Sequence, residues 1–549
     1  MSGVVRNFSK SRVLIADNSP LVLSNLKLVL REMGFSARLI VSAKDVRTML
    51  TMARTQQVDV VICDYNFCSQ INGKQILDEF RAEKLLPPHG AFVMLSGETQ
   101  PSAVRTILES EPDEYVLKPY SGFELKRRLA NVCARKQDLA YLSELDSEMP
   151  IEDVEHVFES ALKQTPEYEK SILRLRGDYY LKYQHFEFAL DLYKKCLRRN
   201  ASHWAILGAV DALLALGQPK KAEHYLNQWV EKRDGTTPRV MEAYARIYLK
   251  QKRIDDAHLQ LSKSLALTHN NADRIAGRAI LNEALGLFER AFVDRLLHAK
   301  LVRYTFRDVL AVQLDVFRMK IQMSTSNHSL KAQEIRNDLY QMSKRINDDN
   351  KLLALSIVDC HLEIVDNNPK VARIKLNNLL KNYTELDLDS SWYLLYLLYI
   401  THNHQWFNRI FQHVKMHLPE STDSNLMSLC CRAKFDFIAQ WQRKKHCQQQ
   451  KVLLSIDEAK ESDIERALNV AMNFFKARPL SAHAAVALID LIGRALPRNL
   501  EAEQVRDLIF NCEGLIAYSA SLTAQERQIG LEAAKRAKHR FNTELSCAT

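Results

Sequence analysis

The pattern of apolar and polar positions changes character near residue 135. Before it, short apolar runs at Val13–Ala16, Leu39–Val41, Val58–Cys63, Phe92–Leu95 and Tyr115–Leu117 alternate with amphipathic stretches such as Leu21–Met33, Lys44–Arg54 and Ile76–Lys84. Short continuous apolar runs read as strands buried on both faces. Five strand–helix units in about 125 residues therefore predict a doubly wound parallel sheet. In such sheets ligands bind beyond the carboxyl ends of the strands, which says where to look for chemistry.

After residue 135 the strand signals stop and nearly every segment is helix-periodic. Asp138–Pro150 is polar, either a connector or an extension of the preceding helix. From about residue 168 the chain resembles itself at a period near 34: Ala189, Ala222, Ala257 and Ala291 recur at spacings of 33, 35 and 34. The clearest unit runs from Ile172 to Ala201 and carries Leu173, Gly177, Tyr180, Ala189, Tyr193 and Cys196. Gly217 and Gly286 each fall five residues before an aligned alanine, where the two helices of a hairpin would turn. Such a hairpin cannot bury its apolar face alone, so repeats of this kind stack into a solenoid. Beyond residue 300 the period fades. Ala467 and Pro479 recover its spacing once, and Asp359–Lys381 and Ser391–Leu418 look like further hairpins. Residues 301–549 are expected to continue the repeats in degenerate form or to make another all-helical domain.

Composition supports a helical chain, because only 15 glycines and 14 prolines serve 549 residues. Sheet-rich folds use both residues in their many tight turns. Hydrophobic residues at 46% and charged residues at 26% exclude a disordered or collagen-like chain. The longest apolar run, Trp392–Ile400, is nine residues, against the roughly 20 needed to span a bilayer. The first residues show no signal-peptide core. Ten cysteines without a CxxC are expected as reduced thiols of a cytoplasmic protein.

The net charge of +10 is spread along the chain, +4 over residues 1–135 and +6 over the rest. The densest basic run, Arg443–Lys445, precedes His446 and Gln448–Gln450 and reads as a solvated helix face. No nucleic-acid partner and no membrane are expected. A DNA-binding output would need a recognition helix and clustered basic charge, and neither is visible. The sequence contains no GxxxxGK[ST], GxGxxG, GxSxG, HExxH or GGDEF string. His402 and His404 read as loop residues, and Cys430–Cys431 lack a placed base. An enzymatic output is not expected.

Four of the five expected strands end in polar groups, in order. Asp17 and Asn18 follow the first, Asp64 the third, Ser96 the fourth, and Lys118–Pro119 the fifth. On these residues, the stretch 11–135 resembles the receiver domain of bacterial two-component response regulators, of flavodoxin-like α/β fold. The resemblance implies that Asp64 is the phosphoacceptor, attacking a phosphohistidine on a sensor histidine kinase or phosphotransfer protein. It implies a Mg²⁺ site at Asp17, Asn18, Asp64 and the backbone carbonyl of Asn66, an oxygen-rich shell suited to a hard cation. It assigns Lys118 to the phosphoryl oxygens, Ser96 as the hydroxyl that reorients toward them, and Tyr115 as the switch aromatic. Two positions depart from the family pattern. Asn18 stands where a second aspartate is usual, which should weaken Mg²⁺. The loop from Asp64 to Gly73 is one residue longer than common and lacks Met-Pro.

The later repeats resemble tetratricopeptide repeats over 168–300, with 136–167 as a linker helix or connector. The combination resembles Vie-type auxiliary regulators, which implies a protein partner bound by the repeats and allows a receiver-mediated dimer. A receiver-shaped docking module that is never phosphorylated is the alternative, and Asn18 is its main support.

Overall fold

A computed structural model describes residues 8–67, 71–200, 202–232, 236–324, 332–366, 368–401, 403–420, 422–476, 481–519 and 522–548. The first elements are β1 (Val13–Ala16), α1 (Pro20–Glu32), β2 (Ile40–Ala43), α2 (Val46–Thr55), β3 (Val60–Asp64) and α3 (Gly73–Ala82). They continue with β4 (Ala91–Ser96), α4 (Pro101–Ser110), β5 (Glu114–Leu117) and α5 (Gly122–Ser143). All strands are parallel, in the order β2-β1-β3-β4-β5. This is the flavodoxin-like winding.

Side chains alternate between two cores, as the period of two in a strand requires. Val13, Ile15, Val60, Ile62, Val93 and Leu95 pack with α1 and α5. Leu14, Ala16, Val61, Cys63, Phe92 and Met94 pack with α2, α3 and α4. Both faces are covered, which explains the uninterrupted apolar runs in the sequence. Strand limits differ slightly from the sequence expectation. Ala37–Leu39 forms a 3-10 turn, so β2 begins at Ile40. β3 and β4 run one residue further, ending on Asp64 and Ser96 themselves.

Twenty helices follow among the described residues. They begin with α6 (Ile151–Gln164), α7 (Glu169–Lys182), α8 (Phe186–Arg199), α9 (His203–Ala215), α10 (Pro219–Glu231) and α11 (Pro238–Lys250). Next come α12 (Ile254–Leu267), α13 (Ala272–Ala284), α14 (Phe288–Val302), α15 (Leu310–Ser324), α16 (Ala332–Ser343), α17 (Asp349–Val365) and α18 (Pro369–Lys381). The last are α19 (Leu388–Ile400), α20 (His404–Met416), α21 (Leu426–Ser462), α22 (Ile464–Lys476), α23 (Ala482–Ile492), α24 (Ala502–Tyr518) and α25 (Ala524–Ala548). Among the described residues no helix is long and apolar enough to cross a membrane.

The chain divides into two compact units. One comprises 1–278, 297–308 and 420–430 and contains the sheet domain. Its helical core runs from Leu139 and Leu142 on α5 to Ile247 on α11. The aligned small residues Ala189, Ala222 and Ala257 are fully buried on α8, α10 and α12. Tyr193 on α8 lies between two glycines. A Cβ added at Gly177 on α7 would stand 2.5 Å from its hydroxyl, and one at Gly208 on α9 would stand 2.3 Å from its ring. Only glycine lets these helices close on the ring. Gly217 turns between α9 and α10 at φ +69°, in the left-handed region open to glycine.

The other unit comprises 279–296, 309–419 and 431–549. Ala291, the fourth aligned alanine, is fully buried here, and Gly286 turns at φ +74°. α17 packs on α18 and α19 on α20 around one core, and α22 to α25 share a second. Buried Glu283 accepts hydrogen bonds from Arg295, Arg318 and Lys434, each with a 2.8 Å contact. Their charge outweighs the effect of its burial and holds the carboxyl well below the usual range. Arg443 and Lys444 are exposed on α21. Pro479 and His402 lie outside the described residues.

Candidate functional site

The carboxyl ends of β1, β3, β4 and β5 bring the sequence-predicted polar residues together on one edge of the sheet. Asp17 leaves β1 and turns back to accept the Ser19 N–H at 2.8 Å. Ser19 caps α1, and Pro20 occupies its first turn. Asp64 ends β3. The chain then returns so closely that a Cβ on Gly73 would stand 2.9 Å from Tyr65 Cα, so the start of α3 requires glycine. Lys118 N–H donates to the Ser96 carbonyl at 2.7 Å, which aligns the ends of β4 and β5. The Lys118–Pro119 peptide is cis.

Lys118 Nζ bridges the two carboxylates, donating at 2.9 Å to Asp17 Oδ2 and at 2.6 Å to Asp64 Oδ1. Asp17 is 2% exposed and Asp64 8%, so water screens these pairs weakly. Burial alone would lower the Lys118 pKa. Its hydrogen bonds and charge pairing with Asp64 and Asp17 outweigh that, and the ammonium is held above the usual lysine value. Burial, reinforced by the Asp64 charge, pushes the neighbouring Cys63 thiol far up, so it is no nucleophile. Asp64 Oδ2 accepts no hydrogen bond from the described residues and remains available to an incoming group.

The remaining predicted residues ring this centre. Ser96 is buried, and its Oγ accepts the Glu98 N–H at 3.0 Å. Asn18 and Asn66 are exposed. Tyr115 turns its ring into the core beside α3 and α4. Its hydroxyl is buried without a hydrogen-bond partner among the described residues, a costly arrangement for a polar group. Glu98 escaped the sequence reading. It accepts the Asn66 side-chain amide at 2.6 Å and places a carboxylate at the rim beside Ser96. Burial, reinforced by Glu98, pushes the Tyr65 phenol up to about 12. Its only sequence signal was a lone acid after Ser96-Gly97.

Residues 13–130 match the response regulator receiver domain family. The N-terminal domain is a response regulator receiver domain. Relatives agree with this assignment. The DNA-binding response regulator MtrA of Mycolicibacterium smegmatis is 32% identical over 129 residues, covering 24% of this chain and 53% of that protein. The alkaline phosphatase synthesis transcriptional regulatory protein PhoP of Bacillus subtilis is 23% identical over 137 residues, 25% of this chain and 54% of its own. The chain thus spans about half the length of these relatives. A solved receiver domain protein from Clostridium thermocellum is 24% identical and covers 24% of this chain and 98% of its own, with a TM-score of 0.21. The receiver is followed by a large all-helical region.

Proposed function

We propose that this protein is a two-component response regulator in which phosphorylation of Asp64 controls what the helical region binds. The observation that carries the reading is the Lys118 bridge between Asp17 and Asp64, beside an Asp64 oxygen with no partner among the described residues. That oxygen attacks the phosphorus of a phosphohistidine on a sensor histidine kinase or phosphotransfer protein. A P–O bond forms, the P–N bond breaks, and the ring nitrogen keeps the electron pair. Two carboxylates, the Asn18 amide and the Asn66 carbonyl form an all-oxygen donor set of the kind Mg²⁺ takes, and these residues would hold it. Bound there, Mg²⁺ would offset the repulsion between carboxylate and phosphoryl group. Lys118 leaves Asp64 to meet the phosphoryl oxygens. The Ser96 hydroxyl, which accepts the Glu98 N–H, donates its own proton to a phosphoryl oxygen. Tyr115, whose buried hydroxyl lacks a partner, shifts with it and moves the end of α4.

Output is then protein–protein interaction by tetratricopeptide-like repeats from about residue 168, in a cytoplasmic regulator that modulates a sensor kinase or another regulator. A second reading, a receiver that docks without being phosphorylated, is favoured by one observation. With Asn18 in place of a carboxylate, no group of three or more His, Cys, Asp or Glu suited to a metal occurs among the described residues. Incubation with Mg²⁺ and acetyl phosphate tests both. Added phosphoryl mass that Asp64→Ala abolishes supports the switch, and no addition from any donor supports the docking module.

A further inference from the structure

The receiver meets the helical region of its own unit through charge. Glu111, just past α4, has both carboxylate oxygens held, one by Arg174 of α7 and the other by Arg239 of α11. It sits at φ +49°, a left-handed conformation that non-glycine residues rarely adopt. Two positions earlier, Glu109 takes two bonds from Arg274 of α13, at 3.0 and 3.3 Å. Arg274 is only 1% exposed. On its own side it has Glu242 at 2.8 Å and Thr268 at 2.8 Å. Those contacts use its Nε and one Nη1 proton, and Glu109 of the receiver takes one proton each from Nη1 and Nη2. Beside these pairs, the Phe306 N–H donates to Glu79 at 2.6 Å, and Gln75 of α3 donates to the Leu301 carbonyl at 2.7 Å.

Three arginines from three different helices therefore converge on two carboxylates spaced i and i+2 at one helix end. Planar forks matched to carboxylates are a recognition device, since bidentate geometry discriminates as well as attracts. We propose that Arg174, Arg239 and Arg274 form a docking site for an acidic segment of a protein partner, closed in cis by Glu109 and Glu111 of the receiver. The inference rests on the switch reading above and names the surface that the switch uncovers. α4 follows directly from the loop that carries Ser96 and Glu98. A movement of α4 that withdraws Glu109 and Glu111 leaves three guanidinium groups facing solvent, one of them in a buried setting. An acidic segment restores the pairing. A tethered ligand competes at a high effective concentration, so a free segment binds the closed form weakly.

The probe is a fluorescent peptide of residues 98–113, the segment that closes the site, titrated by anisotropy against the full-length protein without a phosphoryl donor. Glu109→Gln with Glu111→Gln should tighten peptide binding at least about tenfold over wild type, and adding Arg174→Gln and Arg239→Gln should abolish the gain. Glu111→Lys, which repels both arginines, opens the site even where the neutral variant stays seated. Circular dichroism confirms that each variant is folded. Equal binding in the closed and charge-altered proteins, or binding indifferent to the arginines, overturns the docking site. A site that opens in the variants but not after acetyl phosphate treatment upholds the surface and refutes the switch.

Discussion

Tyr193 and its two glycines make a demanding test of how the helices pack. A Cβ at Gly208 would lie 2.3 Å from Tyr193 Cζ and 2.6 Å from both Cε atoms, whereas carbon atoms in contact prefer about 3.5–4.0 Å. The ring would have to retreat by more than about 1 Å. It cannot, because on its other side Gly177 already approaches so closely that a Cβ there would be 2.5 Å from the hydroxyl. Overpacking a core costs about 1–3 kcal/mol, and this site belongs at the top of that range. Alanine returns about 1 kcal/mol through helix propensity. Gly208→Ala should therefore destabilise the α7–α9 region by a net of about 2 kcal/mol. Hydrogen exchange reports this locally, as amides of α7, α8 and α9 exchanging about 30-fold faster. Gly514 on α24 supplies the control, since nothing lies within 4 Å of a Cβ there. Gly514→Ala should slow exchange of its helix, by about 0.5–1 kcal/mol. Combining Gly208→Ala with Tyr193→Leu should recover more than half the alanine's cost, because the obstacle is gone. Wild-type exchange in Gly208→Ala, or strict additivity in the double variant, would refute the packing argument.

Three further outcomes are expected. Asn18→Asp adds a negative charge to the proposed cation site and should tighten Mg²⁺ about tenfold in calorimetric titration, ligand charge being a main determinant of affinity. Lys118→Met removes the cation that bridges Asp17 and Asp64 and should slow phosphoryl uptake from acetyl phosphate by about tenfold or more, some 1.4 kcal/mol of barrier, read by intact mass against time. His361, 1% exposed and bonded to the Tyr393 hydroxyl at 2.9 Å, has its pKa lowered to about 3 from 6.5 by burial first and then by Arg318. The unfolded chain takes the proton first, so this stability is complete above the unfolded pKa and is lost as pH falls toward 3. By pH 5 the loss is about 2 kcal/mol, and His361→Gln should flatten the fall in thermal stability between pH 7 and pH 5.

The sheet and its polar edge were legible because parallel strands covered on both faces leave unbroken apolar runs. Whatever ends such a run must then lie on the shared edge, which is how Asp17, Asp64, Ser96 and Lys118 could be read one after another. The turns at Gly217 and Gly286 were legible because the left-handed region selects glycine. Glu98 was not, since nothing in a single acid after a strand says that it will turn to Asn66. The pairing of Glu111 with Arg239 was also hidden. The residues are 128 positions apart, and on each helix the charge reads as an ordinary solvated face. Left-handed Lys84, Gln184 and Lys252 likewise carry no glycine to announce them.

The fifth receiver helix has a consequence for mechanics. Leu125, Leu129, Val132 and Cys133 belong to the sheet core, while Leu139 and Leu142 on the same helix belong to the core of the helices beyond. One uninterrupted rod is bolted into both bodies, so angular phase is fixed between them. An alanine inserted after Ala134 would turn one bolt by about 100° and advance it about 1.5 Å relative to the other. Four inserted residues would come nearly full circle. A series of insertions should therefore disturb any coupling periodically with the helical screw, and a receiver cut at residue 135 would lose the rod that joins the two cores.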